Sequence, residues 1–168
     1  MRIAPSDIEA IGEAVAPLIG LPVWAVHKLA MNMLVIFVGK KRVMEDDKAL
    51  PPSVFGQGEW GIWIATDWRL EGATDVIVSS GDDKALILPG VQQLVDTRID
   101  SIRVFPPGLD THFTFSGQRT LKVFPVETQE SLHWRLYAPQ GRMLNIGPGN
   151  TYSFASKDEP QKDEHGEG

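Results

Sequence analysis

From Ile99 to Ile146 the chain passes through five short segments of alternating apolar and polar character: Ile99 to Phe105, Thr111 to Phe115, Thr120 to Phe124, His133 to Tyr137 and Met143 to Ile146. Clusters of turn residues bound them, namely Pro106-Pro107-Gly108, Ser116-Gly117-Gln118, Pro139-Gln140-Gly141 and Gly147-Pro148-Gly149-Asn150. Alternation with period two gives each segment one apolar face, and a tight turn brings the chain back beside itself in the opposite direction. This half of the sequence therefore predicts an antiparallel meander, which sets the fold class for the whole chain.

Upstream, Ser6-Asp7-Ile8-Glu9 reads as a capping box, with the Ser6 hydroxyl accepting from the Glu9 amide and the Glu9 carboxylate from the Ser6 amide. Ile8, Ile11, Val15 and Leu18 then recur at three- and four-residue spacing, the stripe of an amphipathic helix, until Pro17, Gly20 and Pro22 end it. Trp24 to Lys28 and Met33 to Val38 predict a hairpin that turns around Met31-Asn32. Gly39 to Gly58 is a polar, proline-broken connection, long enough to be a flap or a functional loop. Trp60 to Ala65 resumes as a strand with Trp60, Ile62 and Ile64 on one side and Trp63 and Ala65 on the other. Val76-Ile77-Val78 is a further strand, ended by the turn at Ser79 to Asp83. Lys84 to Val95 is ambiguous, and its composition allows a short strand at Leu86-Ile87-Leu88 followed by a helical turn at Val91 to Val95. The expected fold is a single α+β domain over residues 1–155. It is a twisted, predominantly antiparallel β-sheet in a meander, with the N-terminal amphipathic helix 6–19 packed on one face.

Ser156 to Gly168 contains no large apolar side chain to offset its ordering entropy, and it predicts a disordered acidic tail. The chain carries 16 Lys and Arg against 22 Asp and Glu, a net charge of -6, and the tail's two lysines against five carboxylates hold -3 of that. No basic run is longer than Lys40-Lys41-Arg42, which argues against grip on a nucleic-acid backbone. The absence of cysteine excludes disulfides, thiol nucleophiles and Cys-based zinc sites. The longest apolar stretch, Ala30 to Val38, is interrupted by Asn32 and falls short of the ~20 residues that span a bilayer. Met1 to Asp7 lacks the apolar core of a signal peptide. A cytoplasmic protein with no nucleic-acid and no membrane partner is expected.

The motifs that carry chemistry are sparse. Gly56-Gln57-Gly58-Glu59-Trp60-Gly61 fits G-x-G-x-x-G, but a Pro51-Pro52-Ser53 stretch precedes it and a strand follows, whereas a dinucleotide site needs a helix opening there. His27, His112 and His133 have apolar neighbours and no second ligand at metal spacing, so neither metal nor cofactor is expected. Asp46-Asp47 and Asp82-Asp83 are each followed by lysine, as solvated turn charges are. No G-x-S-x-G elbow accompanies any serine. The distinguishing feature is tryptophan placement, since Trp60, Trp63 and Trp68 fall within nine residues, beside Arg69. Trp60 and Trp63 face opposite sides of one strand. One of them packs in the core, and the other meets solvent, a partner, or a cover made by helix 6–19 and loop 39–58.

The order of features also resembles small bacterial α+β proteins, some of them immunity-protein-like and many without an assigned role. The resemblance rests on Trp68-Arg69-Leu70, the turn Ser79-Ser80-Gly81-Asp82, the pair Phe113-Thr114-Phe115 and Leu121-Lys122-Val123-Phe124-Pro125, a second Trp134-Arg135-Leu136, and a closing Gly147-Pro148-Gly149. It spans roughly residues 20 to 152 and carries over core aromatics and turns, with no catalytic residue. The Ser79 to Asp82 turn is a loose version of the pattern.

Three functional expectations follow. The first is a non-enzymatic module that binds another protein, of the toxin-neutralising immunity type, with Trp63 and Trp68 as anchors, Arg69 as a charged fork, and Asp82 and Asp83 as contacts for a basic partner. The second is a small-molecule binder or small enzyme that uses a sheet cavity lidded by loop 39–58, with Asp67, Asp110, His112 and His133 as its polar groups. The third is a structural homo-oligomer with Trp60 or Trp63 across a symmetric contact.

Overall fold

The computed structural model describes residues 4–41, 58–128 and 130–156. Eleven strands run through the described residues: β1 Val23–Lys28, β2 Leu34–Lys41, β3 Gly58–Ile64, β4 Trp68–Glu71, β5 Val76–Ser79, β6 Ile99–Phe105, β7 Asp110–Phe115, β8 Arg119–Val123, β9 Trp134–Tyr137, β10 Arg142–Ile146 and β11 Tyr152–Ser156. Two α-helices accompany them, α1 Pro5–Val15 and α2 Lys84–Val91. Every strand pair is antiparallel. The α+β class and the antiparallel sheet thus stand as the sequence predicts, and the strands divide between two sheets. Sheet A has the order β1-β2-β3-β9-β10-β11 and sheet B the order β5-β4-β8-β7-β6.

The division follows from where the apolar residues fall in register. Across sheet A, Val26, Ile36, Ile62, Leu136 and Leu144 form one cross-strand row, and Leu34, Ile64, Trp134 and Ile146 form another, all of them buried. Across sheet B, Leu70, Leu121 and Phe113 make a row beside Trp68, Val123 and Thr111, likewise buried. These rows face each other and share one core, where Phe113 of sheet B meets Trp134 of sheet A edge-on at 5.1 Å. Each large apolar side chain removed from water contributes about 1.5–3 kcal/mol, which favours a sandwich with two half-buried faces over one sheet with both faces wet.

The two buried tryptophans at the sheet interface are held by donors and acceptors as well as by packing. The Trp134 indole N–H donates to the Thr111 hydroxyl at 2.9 Å, which joins sheet A to sheet B. The Trp68 indole N–H donates to the Asn32 carbonyl at 2.8 Å, and the Asn32 side-chain amide donates to the Ser80 carbonyl at 2.7 Å. The β1–β2 hairpin therefore turns where the sequence places it, around Met31 and Asn32, and reaches across to the other sheet.

Both helices lie along seams between the sheets. Helix α1 buries Ile11 and Val15, touches β6 at the edge of sheet B, and is tied to β11 at the edge of sheet A by the Tyr152 hydroxyl donating to Asp7 at 2.9 Å. The predicted capping box on Ser6 and Glu9 is displaced toward the N-terminus. Pro5 opens the helix, where its missing N–H is harmless, and the Asp7 carboxylate accepts from the Ala4 amide at 2.7 Å. Helix α2 fills the opposite seam, against β5 and β1, with Gly90 set tight against Val78 and the Gln92 amide donating to the Val26 carbonyl at 2.9 Å. The short strand expected at Leu86-Ile87-Leu88 is the middle of this helix. The Asp83 carboxylate accepts from the Ala85 amide at 3.1 Å and caps it, a local signal that outweighs three consecutive β-compatible side chains. Strands β4 and β11 were not expected from the sequence.

Of the expected connection 39–58, residues 39–41 and 58 are strand and 42–57 lie outside the described residues. Ser156 of the expected tail is the last residue of β11, paired with Arg142, and 157–168 lie outside the described residues. No helix among the described residues is long and apolar enough to cross a membrane.

Candidate functional site

The two Trp-Arg-Leu segments obey one rule. In each, the Trp and Leu point into the shared core and the Arg points out, because successive strand residues alternate faces. Arg69 thereby lies on the outer face of sheet B and Arg135 on the outer face of sheet A. Each sets up a different environment.

On sheet A, Arg135 sits over the rings of Trp63 and Tyr137, at 5.6 and 5.7 Å, and donates to the Asn145 side-chain oxygen at 2.6 Å. The adjacent cross-strand row brings Phe37 beside Gly61, and Trp24 stacks on Phe37 at 5.1 Å. Val35 and Phe37 are fully buried on this outward side. The indole N–H groups of Trp24 and Trp63 are buried without an acceptor among the described residues. Trp63 is thus half-buried within a packed cluster.

Among the described residues, the outer face of sheet B is partly exposed. Ser79, Arg69, Lys122, His112 and Arg103 stand in one registered row across all five strands. At strand spacing, Arg69 and Arg103 are roughly 14 Å apart. Glu71 beside the row accepts from Arg69 and Lys122, each at 3.1 Å, with the Arg69 side chain 39% and the Lys122 side chain 32% exposed. Burial raises the Glu71 carboxyl, but the hydrogen bonds from Lys122 and Arg69 and their charges outweigh it and hold the group below the ordinary carboxylate value. His112 is held below its ordinary value by burial, then by the charges of Lys122 and Arg103, against the opposing pull of Asp110 and Glu71. It is therefore a neutral imidazole in a row of cations at neutral pH.

Phenylalanines pack against both arginines of this row. The Arg69 guanidinium lies 5.3 Å from the Phe124 ring centre, and the Arg103 guanidinium lies 5.2 Å from that of Phe105. The His112 ring meets Phe105 at 4.7 Å. Each pair fixes a long, charged side chain against a planar ring and leaves it partly accessible, so a partner that docks there has less side-chain entropy to remove. A row of Glu71, Thr120, Thr114 and Ser101 borders the other side and offers hydroxyl groups.

Trp68 is 0% exposed in the core, so it is not available as a surface anchor. Trp60 is also packed in the core, with 8% of its surface exposed. Asp82 accepts from the Ser79 amide at 2.9 Å and closes the β5–α2 turn, and Asp83 caps α2, so both exposed carboxylates have structural partners. Asp67 accepts from the Ser80 hydroxyl at 3.1 Å at the start of β4, and Asp110 is exposed at the start of β7. His133 is 1% exposed inside the sandwich, and neither ring nitrogen has a partner among the described residues. Burial holds it neutral, with Asp110 as an opposing charge. Among the described residues, no hydrogen bond joins Asp67, Asp110, His112 and His133 to one another, the charge of Asp110 acts on both histidines, and most of the expected lid, 42–57, lies outside the described residues. Nor do the described residues include a group of three or more potential metal ligands.

Lys122, Arg103, Phe105 and Phe124 were not singled out from the sequence. Their signal is present as the outward positions of β6 and β8, but it becomes a surface only once strand register is known. The chain matches no family model, no curated protein and no solved structure.

Proposed function

We propose that the chain is a non-enzymatic protein-binding module that engages its partner through the outer face of sheet B. The observation that carries this is the pair of Arg-on-Phe contacts, Arg69 with Phe124 and Arg103 with Phe105, flanking Lys122 and His112 on a partly exposed sheet face. Arginine and aromatic side chains supply most of the energy at protein interfaces, and a face of this kind fits a standard patch of roughly 800 Å². The resemblance to immunity-like proteins supplies the finer proposal, a cytoplasmic bacterial protein whose partner is a growth-inhibiting toxin.

The test is co-expression with the growth-inhibiting protein encoded beside the gene, together with capture of that protein on the immobilised chain. The chain should restore growth and retain the toxin, and the Arg69→Ala/Arg103→Ala variant should lose both while keeping its Tm. Partly exposed ion pairs contribute at most about 1 kcal/mol, so this variant folds. Restoration of growth by the double variant at wild-type level, or no retention by the native chain, would refute the proposal.

A further inference from the structure

Strand β6 is the last strand of sheet B, and among the described residues no strand lies on its other side from Ser101 to Phe105. Only its beginning is taken, where the Ile99 amide donates to the Leu21 carbonyl at 3.1 Å and the Gly20 amide donates to the Ile99 carbonyl at 2.7 Å. An open strand edge is a template for another strand. Beside this edge runs a groove of about 400 Å³, with Ile8, Gly12 and Val15 of α1 on one wall and Ile102, Val104 and Phe105 of β6 on the other. Gly12 keeps the groove open, since a Cβ placed there meets no atom within 4 Å. An unpaired strand edge that faces a helix across an apolar channel is the geometry in which an extended segment adds to a sheet, its backbone pairing with the edge and its alternate side chains entering the channel.

We infer that an extended segment of the partner protein adds to sheet B alongside β6, with apolar residues directed into the α1–β6 groove and acidic residues opposite Arg103. The charge choice comes from Arg103, which is exposed, has Phe105 as its ring contact, and meets no carboxylate among the described residues. Cross-strand pairs of opposite charge stabilise such an addition, and like charges oppose it. The inference rests on the proposed protein-binding role and extends the same face, because Arg103 and Phe105 belong both to the outer row and to the groove's rim.

The test is a library of random decapeptides displayed on phage and panned against the full chain, with enriched sequences synthesised and their affinity measured by fluorescence anisotropy. Enriched sequences should alternate apolar and acidic residues. Their affinity should fall at least tenfold for Gly12→Leu, which fills the groove, and for Arg103→Glu, while Gly12→Leu leaves Tm undiminished. No enrichment above background, or equal affinity for Gly12→Leu and the native chain, would overturn the inference. A toxin that binds Gly12→Leu normally but fails on the Arg69→Ala/Arg103→Ala variant would remove the groove and leave the proposed function standing. A toxin that binds both variants normally would remove both.

Discussion

Replacing Thr111 with valine tests the account of how the two sheets are joined. The substitution keeps the shape of the side chain and removes its hydroxyl. In the native protein that hydroxyl accepts from the Trp134 indole at 2.9 Å and donates to the Leu109 carbonyl at 3.1 Å, and Thr111 and Trp134 are both 0% exposed. No water reaches the stranded indole N–H, so its desolvation is uncompensated, at about 1–3 kcal/mol, and the orphaned carbonyl adds to that. The expected loss is about 2–4 kcal/mol, a large fraction of the roughly 5–15 kcal/mol that holds a domain of this size. Thr111→Ser keeps both hydrogen bonds, loses one methyl group and should cost about 1 kcal/mol. Urea unfolding of both variants reads the difference directly. Combining Thr111→Val with Trp134→Phe should recover about 1 kcal/mol or more relative to the sum of the single losses, because the second change removes the stranded donor. Equal losses for the valine and serine variants, or strict additivity in the double variant, would show that the hydrogen bond does not couple the sheets.

Stability should fall as the pH drops below about 6.5, because the unfolded chain takes up a proton there that buried His133 resists, by up to ~1.4 kcal/mol per pH unit for a single group. His27 and His112 shift in the same direction, so the His133 share is the difference between the native and His133→Phe slopes of unfolding free energy against pH. A variant slope as steep as the native one would contradict the assignment. Gly147→Ala should destabilise the fold by about 2 kcal/mol or more, measured as a drop in urea midpoint. Its φ of +92° disfavours any side chain, and an added Cβ lies 2.6 Å from the His133 ring. A midpoint within error of the native value would sink that expectation.

The elements that the sequence made legible were those whose signal is local. Strand β6 appears over Ile99–Phe105 as expected, because both its alternation and its bounding turn lie within it. Strand β4 was hidden, since Trp68-Arg69-Leu70-Glu71 has the right alternation but too short a run to stand out from the loop around it. Helix α2 was hidden for the opposite reason, as Leu86-Ile87-Leu88 looks like a strand until the Asp83 cap is known to engage. Arg69 was legible as a binding residue from its neighbours in sequence. Arg103, Lys122 and His112 join it only through the register of four strands, which depends on how two separate sheets divide the hairpins. Trp68 misled because a tryptophan beside an arginine reads alike in a hot spot and in a strand that buries one residue and exposes the next.

Amide hydrogen exchange on a complex with a captured protein partner is the decisive measurement for the proposed binding face, because it reports which strands a partner covers. Docking on sheet B should add protection in Trp68–Glu71, Ile99–Phe105, Asp110–Phe115 and Arg119–Val123, together with α1, and none beyond the free protein in Val23–Lys28 or Arg142–Ile146. Protection concentrated on β1, β2, β3 and β9, around Trp24, Trp63 and Arg135, with β6 to β8 unchanged, would contradict it.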